Sequence, residues 1–125
     1  MNIILDTNFL MIPGLMNVDI YGQLKEKFPT SHLFVAHQSA SELKKITEKG
    51  TGKEKAASKL AIQLMEAHKV SILEDKGGSY ADEEIFLHAK GGMAVATVDK
   101  VFKERLKSNN IPVITLRQRK YIALY

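Results

Sequence analysis

The chain begins with a short apolar run, Asn2–Leu5 ("NIIL"), breaks into Asp6-Thr7-Asn8, and turns apolar again at Phe9. Similar runs rich in β-branched or small apolar residues recur at Leu33–Ala36, Val70–Leu73, Ala94–Thr97 and Pro112–Thr115, and each reads as a strand. Between them the apolar positions recur at helical spacing. Helices are predicted over Asn8–Ile12, Asp19–Phe28, Gln38–Glu48, Lys53–His68, Ser79–Lys90 and Lys100–Asn109. The clearest is the fourth, where Ala57, Leu60, Ala61, Leu64 and Met65 form one stripe. Pro29, Gly50–Gly52, Gly77–Gly78 and Gly91–Gly92 punctuate the pattern. Apolar strands alternating with helices predict an α/β fold whose parallel sheet is covered on both faces. The tail "RQRKYIALY" suits an added edge strand or a contact surface. With 125 residues and no internal repeat or linker, residues 1–125 are expected to form a single domain.

In such sheets ligands bind beyond the carboxyl ends of the strands, where the strand order reverses. The first strand ends in Asp6, Thr7 and Asn8, and the fourth in Thr97 followed by Asp99. Glu42 comes shortly after the second strand and Asp82 shortly after the third. Asp82 heads a stripe with Ile85, Phe86 and Ala89, which predicts that it points inward over the strand ends. Glu42 flanks the stripe of Ala40, Leu43 and Ile46.

Each acid has a structural explanation of its own. Ser39–Glu42 and Ser79–Asp82 both fit a capping box, and Asp6 and Asp99 fit helix N-caps. Four carboxylates gathered at one sheet end need more than caps, because crowded like charges repel unless a cation balances them. An oxygen-only donor set, without histidine or thiolate, suits Mg²⁺ or Mn²⁺. The chemistry this serves is phosphodiester hydrolysis, in which the ion acidifies the attacking water and neutralises charge growing on phosphorus.

Composition narrows the field. There are no cysteines, which excludes disulfides, thiolate metal sites and cysteine nucleophiles. No apolar run approaches the ~20 residues of a membrane span, and no leader pattern is visible, so a cytoplasmic protein without a membrane partner is expected. The net charge of +4 favours anionic partners. Lysines gather at Lys44, Lys45, Lys49, Lys53, Lys55 and Lys59, and again with an arginine at Lys100, Lys103, Arg105 and Lys107. Lys44, Lys45, Lys53, Lys100 and Lys103 are candidates for holding phosphates on either side of an acidic centre. His32, His37, His68 and His88 share no ligand spacing and read as structural. The "GTGK" at Gly50–Lys53 lacks the first glycine and the final hydroxyl of a phosphate loop and follows no strand.

"IILDTNFLM" at the N-terminus, Glu42 in "SASELKKI", Asp82 in "YADEEI" and Asp99 in "AVATVDKVFKERL" together resemble the PIN-domain nucleases, from Asn2 to about Leu116 and in motif order. The stretch from Tyr80 to Leu116 is similar to the PIN proteins of ribosomal RNA processing, and the whole also resembles toxin-type PIN proteins. The resemblance implies a three-layer α/β/α PIN fold with parallel strand order 3-2-1-4-5. It implies an endoribonuclease using Mg²⁺ or Mn²⁺ and leaving a 5′-phosphate, with ribosomal RNA processing as the role its C-terminal likeness implies and a toxin component as the alternative. In the family pattern Asp6 and Asp99 bind the metal most directly, Glu42 and Asp82 complete the acidic pocket, and Asn8 and Thr97 orient carboxylates and solvent. Val101 stands where many members carry a further acid, which leaves a second ion open. Single-stranded or structured RNA, an antitoxin or ribosome-assembly partner, and a second copy of the chain are the partners the family implies.

Two other classes compete. A phosphorylation-receiver domain would use Asp75 and Thr97, but it wants paired acids where Leu5-Asp6 stands and a lysine where Arg117 stands. It also leaves Glu42 and Asp82 without a role. A PIN-fold module that binds RNA or protein without cutting is the other.

Overall fold

The computed structural model describes all 125 residues, Met1–Tyr125. Strand β1 (Asn2–Leu5) leads into two short helices, α1 (Thr7–Leu10) and α2 (Ile12–Met16), and then α3 (Ile20–Lys27). β2 (His32–Val35) is followed by α4 (His37–Lys49) and α5 (Gly52–Ala67), and β3 (Ser71–Ile72) by α6 (Ala81–Ala89). β4 (Ala94–Ala96), α7 (Lys100–Ser108), β5 (Val113–Arg117) and β6 (Tyr121–Leu124) complete the chain. The sheet order is β3-β2-β1-β4-β5-β6. Its first five strands are mutually parallel, as expected, and β6 adds antiparallel to β5. The C-terminal tail is therefore an edge strand, registered through Leu116↔Ile122 and Arg117↔Tyr121.

The strand period of two sorts the core into two layers. Ile3 and Leu5 of β1, Ala94 and Ala96 of β4, and Ile114 of β5 pack on one face with Phe9, Leu10, Ile20, Leu24, Leu43, Ala57 and Ala61 from α1 and α3–α5. Ile4, Val95 and Val113 pack on the other with Ile85, Phe86 and Ala89 of α6 and Phe102 and Leu106 of α7. β1 is thus apolar on both sides and lies between β2 and β4, so that the strand order reverses at its C-terminal end.

The structure departs from the sequence pattern in local places. The first predicted helix is two, because Pro13 falls in the first turn of α2 and Gly14 lets α2 press on α5. A Cβ on Gly14 would stand 2.5 Å from the Ala57 Cα. β3 shrinks to two residues, with Ile72 exposed. Neither capping box forms. α4 is capped at Ala36, which leaves Ser39 buried inside the first turn with its hydroxyl unpartnered, and α6 starts after Tyr80 rather than at Ser79. In place of Ser39, the buried Glu84 of α6 reaches across and its Oε1 accepts the Gln38 N–H of α4 at 2.8 Å. No helix is long and apolar enough to cross a membrane.

Candidate functional site

Asp6 follows β1 in extended backbone and caps α1. Its N–H bonds the Ala96 carbonyl of β4 at 2.9 Å, which continues the β1–β4 ladder one residue beyond the strands. Its Oδ1 accepts the Thr7 N–H at 2.8 Å, and its Oδ2 accepts the Thr97 hydroxyl at 2.8 Å. The Thr97 oxygen in turn accepts the Asp99 N–H at 3.2 Å. Asn8 Oδ1 receives the Val98 N–H at 3.3 Å and lies 3.4 Å from the Thr97 hydroxyl. One buried hydroxyl therefore links the acid leaving β1 to the backbone that carries the acid after β4.

Asp99 caps α7, and its Oδ1 accepts the Phe102 N–H at 2.9 Å. Asp82 lies in the first turn of α6, with Oδ1 on the Glu83 N–H at 3.0 Å. Glu42 stands in the second turn of α4. All four acids, with Thr7, Asn8, Met11 and Tyr80, line a single open pocket of about 330 Å³ at the C-terminal end of β1 and β4. Asp6 is its buried floor, and Glu42, Asp82 and Asp99 stand exposed around it. Asp82 therefore sits at the rim instead of pointing inward, since the stripe it heads buries Ile85, Phe86 and Ala89 while the first turn holds the acid outside.

Burial pushes the Asp6 carboxyl up to about 6; hydrogen bonds from Thr97 and the Thr7 N–H oppose the rise, and the charges of Glu42 and Asp99 add to it. This is mainly the cost of placing a charge on the buried floor of the pocket, to which the neighbouring carboxylates add a smaller part. In this conformation no three acidic or histidine side chains converge to ion-binding distance. Backbone bonds hold one oxygen each of Asp82 and Asp99 in place. The donor set fits a hard divalent cation, being all oxygen, with a buried anionic floor and lone pairs left on each carboxylate. Gathering it requires rotamer changes in exposed side chains.

A PIN-like domain family model matches residues 3–119. The chain belongs to the PIN-like domain family. Ribonuclease VapC4 of Methanocaldococcus jannaschii is 34% identical over 128 residues, covering 98% of this chain and 95% of its own length. Ribonuclease VapC9 of Archaeoglobus fulgidus is 34% identical over 119 residues, covering 95% and 85%. Among solved structures, the PIN domain endonuclease Utp24 superposes with a TM-score of 0.80 at 21% identity, over 98% of this chain and 90% of that one. A domain of a functionally unknown protein from M. jannaschii gives a TM-score of 0.56 at 18% identity, over 93% and 91%. The three-layer PIN fold expected from the resemblance is the fold observed.

Within this PIN-like framework the other candidate residues separate. Val101 is 80% exposed and does not line the acidic pocket. Lys45 lines a groove joined to the pocket, whereas Lys44 lines an apolar groove between α4 and α5. Lys53 and Lys100 are exposed in the first turns of α5 and α7. The Lys103 ammonium lies 4.8 Å from the centre of the Tyr125 ring. His68 stacks on Tyr21 with ring centres 4.1 Å apart, and a ring nitrogen of His88 is 2.9 Å from the Glu74 carbonyl, which is structural duty for both. Tyr80 and Glu84 escaped sequence reasoning. An aromatic at a loop-to-helix junction gives no periodic signal, and Glu84 looks like a helix surface acid until α4 is placed over it.

Proposed function

We propose that this protein, as one domain over residues 1–125, is an endoribonuclease that uses Mg²⁺ or Mn²⁺ to hydrolyse RNA phosphodiester bonds, leaving a 5′-phosphate. The observation that carries this reading is the single pocket shared by Asp6, Glu42, Asp82 and Asp99 at the sheet's switch point. Relatives named as ribonucleases that match nearly end to end support it.

Asp6 and Asp99 would hold the ion, with Glu42 and Asp82 completing the oxygen shell directly or through water. The chemistry such an ion supplies is neutralisation of charge at phosphorus and acidification of an attacking water. Thr97 fixes the Asp6 carboxylate from behind, and Asn8 braces the Thr97–Asp99 segment. Lys45 and Lys100, exposed near the pocket, are placed to hold flanking phosphates.

Of the cellular roles the resemblance implies, the VapC-named relatives favour the toxin-type role over ribosomal RNA processing, with RNA as substrate and a protein antitoxin as partner. Purified wild type and Asp6→Asn incubated with single-stranded RNA test the activity. Cleavage by the wild type that requires Mn²⁺ or Mg²⁺, stops in EDTA and vanishes in Asp6→Asn is the expected result. Equal cleavage by both proteins would refute the site. No cleavage under any condition would favour a module that only binds. Growth arrest on expression, relieved by Asp6→Asn, tests the toxin-type role.

A further inference from the structure

A second groove, of about 350 Å³, opens beside the acidic pocket and shares Glu42 and Tyr80 with it; Gln38, Ser41 and Lys45 line its far side. Its size is at the lower end of ligand clefts, roughly 300–1,000 Å³, and suits one nucleotide. Tyr80 is the feature that needs explaining. It is an aromatic side chain 73% exposed to solvent, in no hydrophobic cluster, and its hydroxyl makes no hydrogen bond. Its backbone is tied to both α6 and α4. The Tyr80 carbonyl accepts the Glu84 N–H at 3.1 Å, and Gln38 Nε2 donates to the Gly78 carbonyl at 3.1 Å, tying the preceding loop to α4. A largely exposed ring that borders both the groove and the acidic pocket offers a face on which a base can stack. Lys45 lies one turn along α4 from Glu42, exposed and without an ion-pair partner.

We propose that this groove binds the nucleotide next to the scissile phosphate, with its base stacked on Tyr80 and its phosphate held by Lys45. The inference rests on the nuclease reading of the acidic pocket and extends it to the form of the substrate. A base can lie on Tyr80 only when it is unstacked from its neighbours, so the groove selects single-stranded or splayed-out RNA over a continuous helix. Stacking on one ring face accepts any base, so the groove confers strand form rather than sequence preference.

The test is binding of a fluorescently labelled single-stranded RNA, followed by anisotropy in EDTA so that nothing is cleaved. Tyr80→Ala is expected to weaken binding about tenfold and Tyr80→Phe to stay within about twofold of wild type. Scanning a single abasic nucleotide along the RNA is expected to find one position that costs the wild type the same factor and costs Tyr80→Ala nothing further. Lys45→Ala is expected to flatten the salt dependence of log Kd by about 0.7. The chain has no tryptophan, so Tyr80→Trp introduces a single reporter whose fluorescence should quench on adding RNA. Equal affinities of wild type and Tyr80→Ala would overturn the inference and assign Tyr80 to a protein contact. A Tyr80→Ala loss that persists at every abasic position would also overturn it. Wild type that binds RNA in this way but never cuts it with Mn²⁺ would refute the nuclease reading and leave the groove standing. Wild type that binds no RNA in EDTA yet cuts it with Mn²⁺ would overturn the groove and leave the nuclease reading standing.

Discussion

The Thr97 hydroxyl donates to Asp6 Oδ2 at 2.8 Å across a sequence separation of 91 residues, and its oxygen accepts the Asp99 N–H at 3.2 Å. Thr97 is fully buried. The hydroxyl acts as a splint between the ends of β1 and β4. Thr97→Ala should leave both groups short of a partner and let Asp6 swing away from the position it holds. Mn²⁺ affinity measured by calorimetry is expected to fall roughly 10- to 100-fold, with Thr97→Ser close to wild type. Equal affinities of Thr97→Ala and wild type would refute the role.

Asp6 makes stability depend on pH in a defined direction. Its carboxyl titrates at about 6 in the folded protein, against 3.8 for the ordinary side chain. Between those values the folded form keeps a proton that the unfolded form has lost, so this group's contribution to stability rises as pH falls from 6 towards 4. At about pH 7 and above the buried charge costs up to about 3 kcal/mol in the metal-free protein. Asp6→Asn should therefore raise the Tm of the metal-free protein at neutral pH, with the advantage shrinking through pH 6 and gone below about pH 4. Urea titrations of both proteins across that range would show it.

A cation should reverse that cost. Mn²⁺ is expected to raise the Tm of wild type by mass action and to leave Asp6→Asn nearly unmoved. A shift of equal size in both proteins would place the ion elsewhere.

Glu84 ties the helix bearing Asp82 to the helix bearing Glu42, through its bond to the Gln38 N–H. Glu84→Ala removes the acceptor from that N–H and should cost about 1–3 kcal/mol in denaturant unfolding. Glu84→Gln keeps an acceptor and should cost less. A larger loss in the glutamine variant would contradict this account.

Gly14→Ala tests the α2–α5 contact. The added methyl would fall 2.7 Å from the Ala57 side chain, and overpacking of that kind costs roughly 1–3 kcal/mol. The double variant Gly14→Ala, Ala57→Gly should recover part of the loss.

Much of this arrangement could be read from the chain. Ile3–Leu5 ahead of Asp6, and Ala94–Ala96 ahead of Thr97 and Asp99, carry the signature of buried parallel strands that end in chemistry, and both lie where that pattern puts them. The family resemblance then supplied the strand order, which local patterns do not encode. What escaped was long-range. Ser39 and Ser79 have the spacing of capping residues, but tertiary packing moves both helix starts, and Glu84 takes over the capping of α4 from 46 residues away. Asp82 reads as inward because its stripe is inward; only the placement of the first turn of α6 shows that the acid stays at the rim. Tyr80 has no sequence signal beyond its position before an acidic turn.

The order in which the strands are laid down has a consequence for synthesis. β1 is the first strand made, yet one of its two neighbours, β4, comes from residues 94–96, after eight other helices and strands, α1 through α6, have been made. Until then Asp6 has neither Thr97 nor Asp99 beside it. A growing chain is thus unable to assemble its acidic centre before residues 94–99 have been made and can pair with β1.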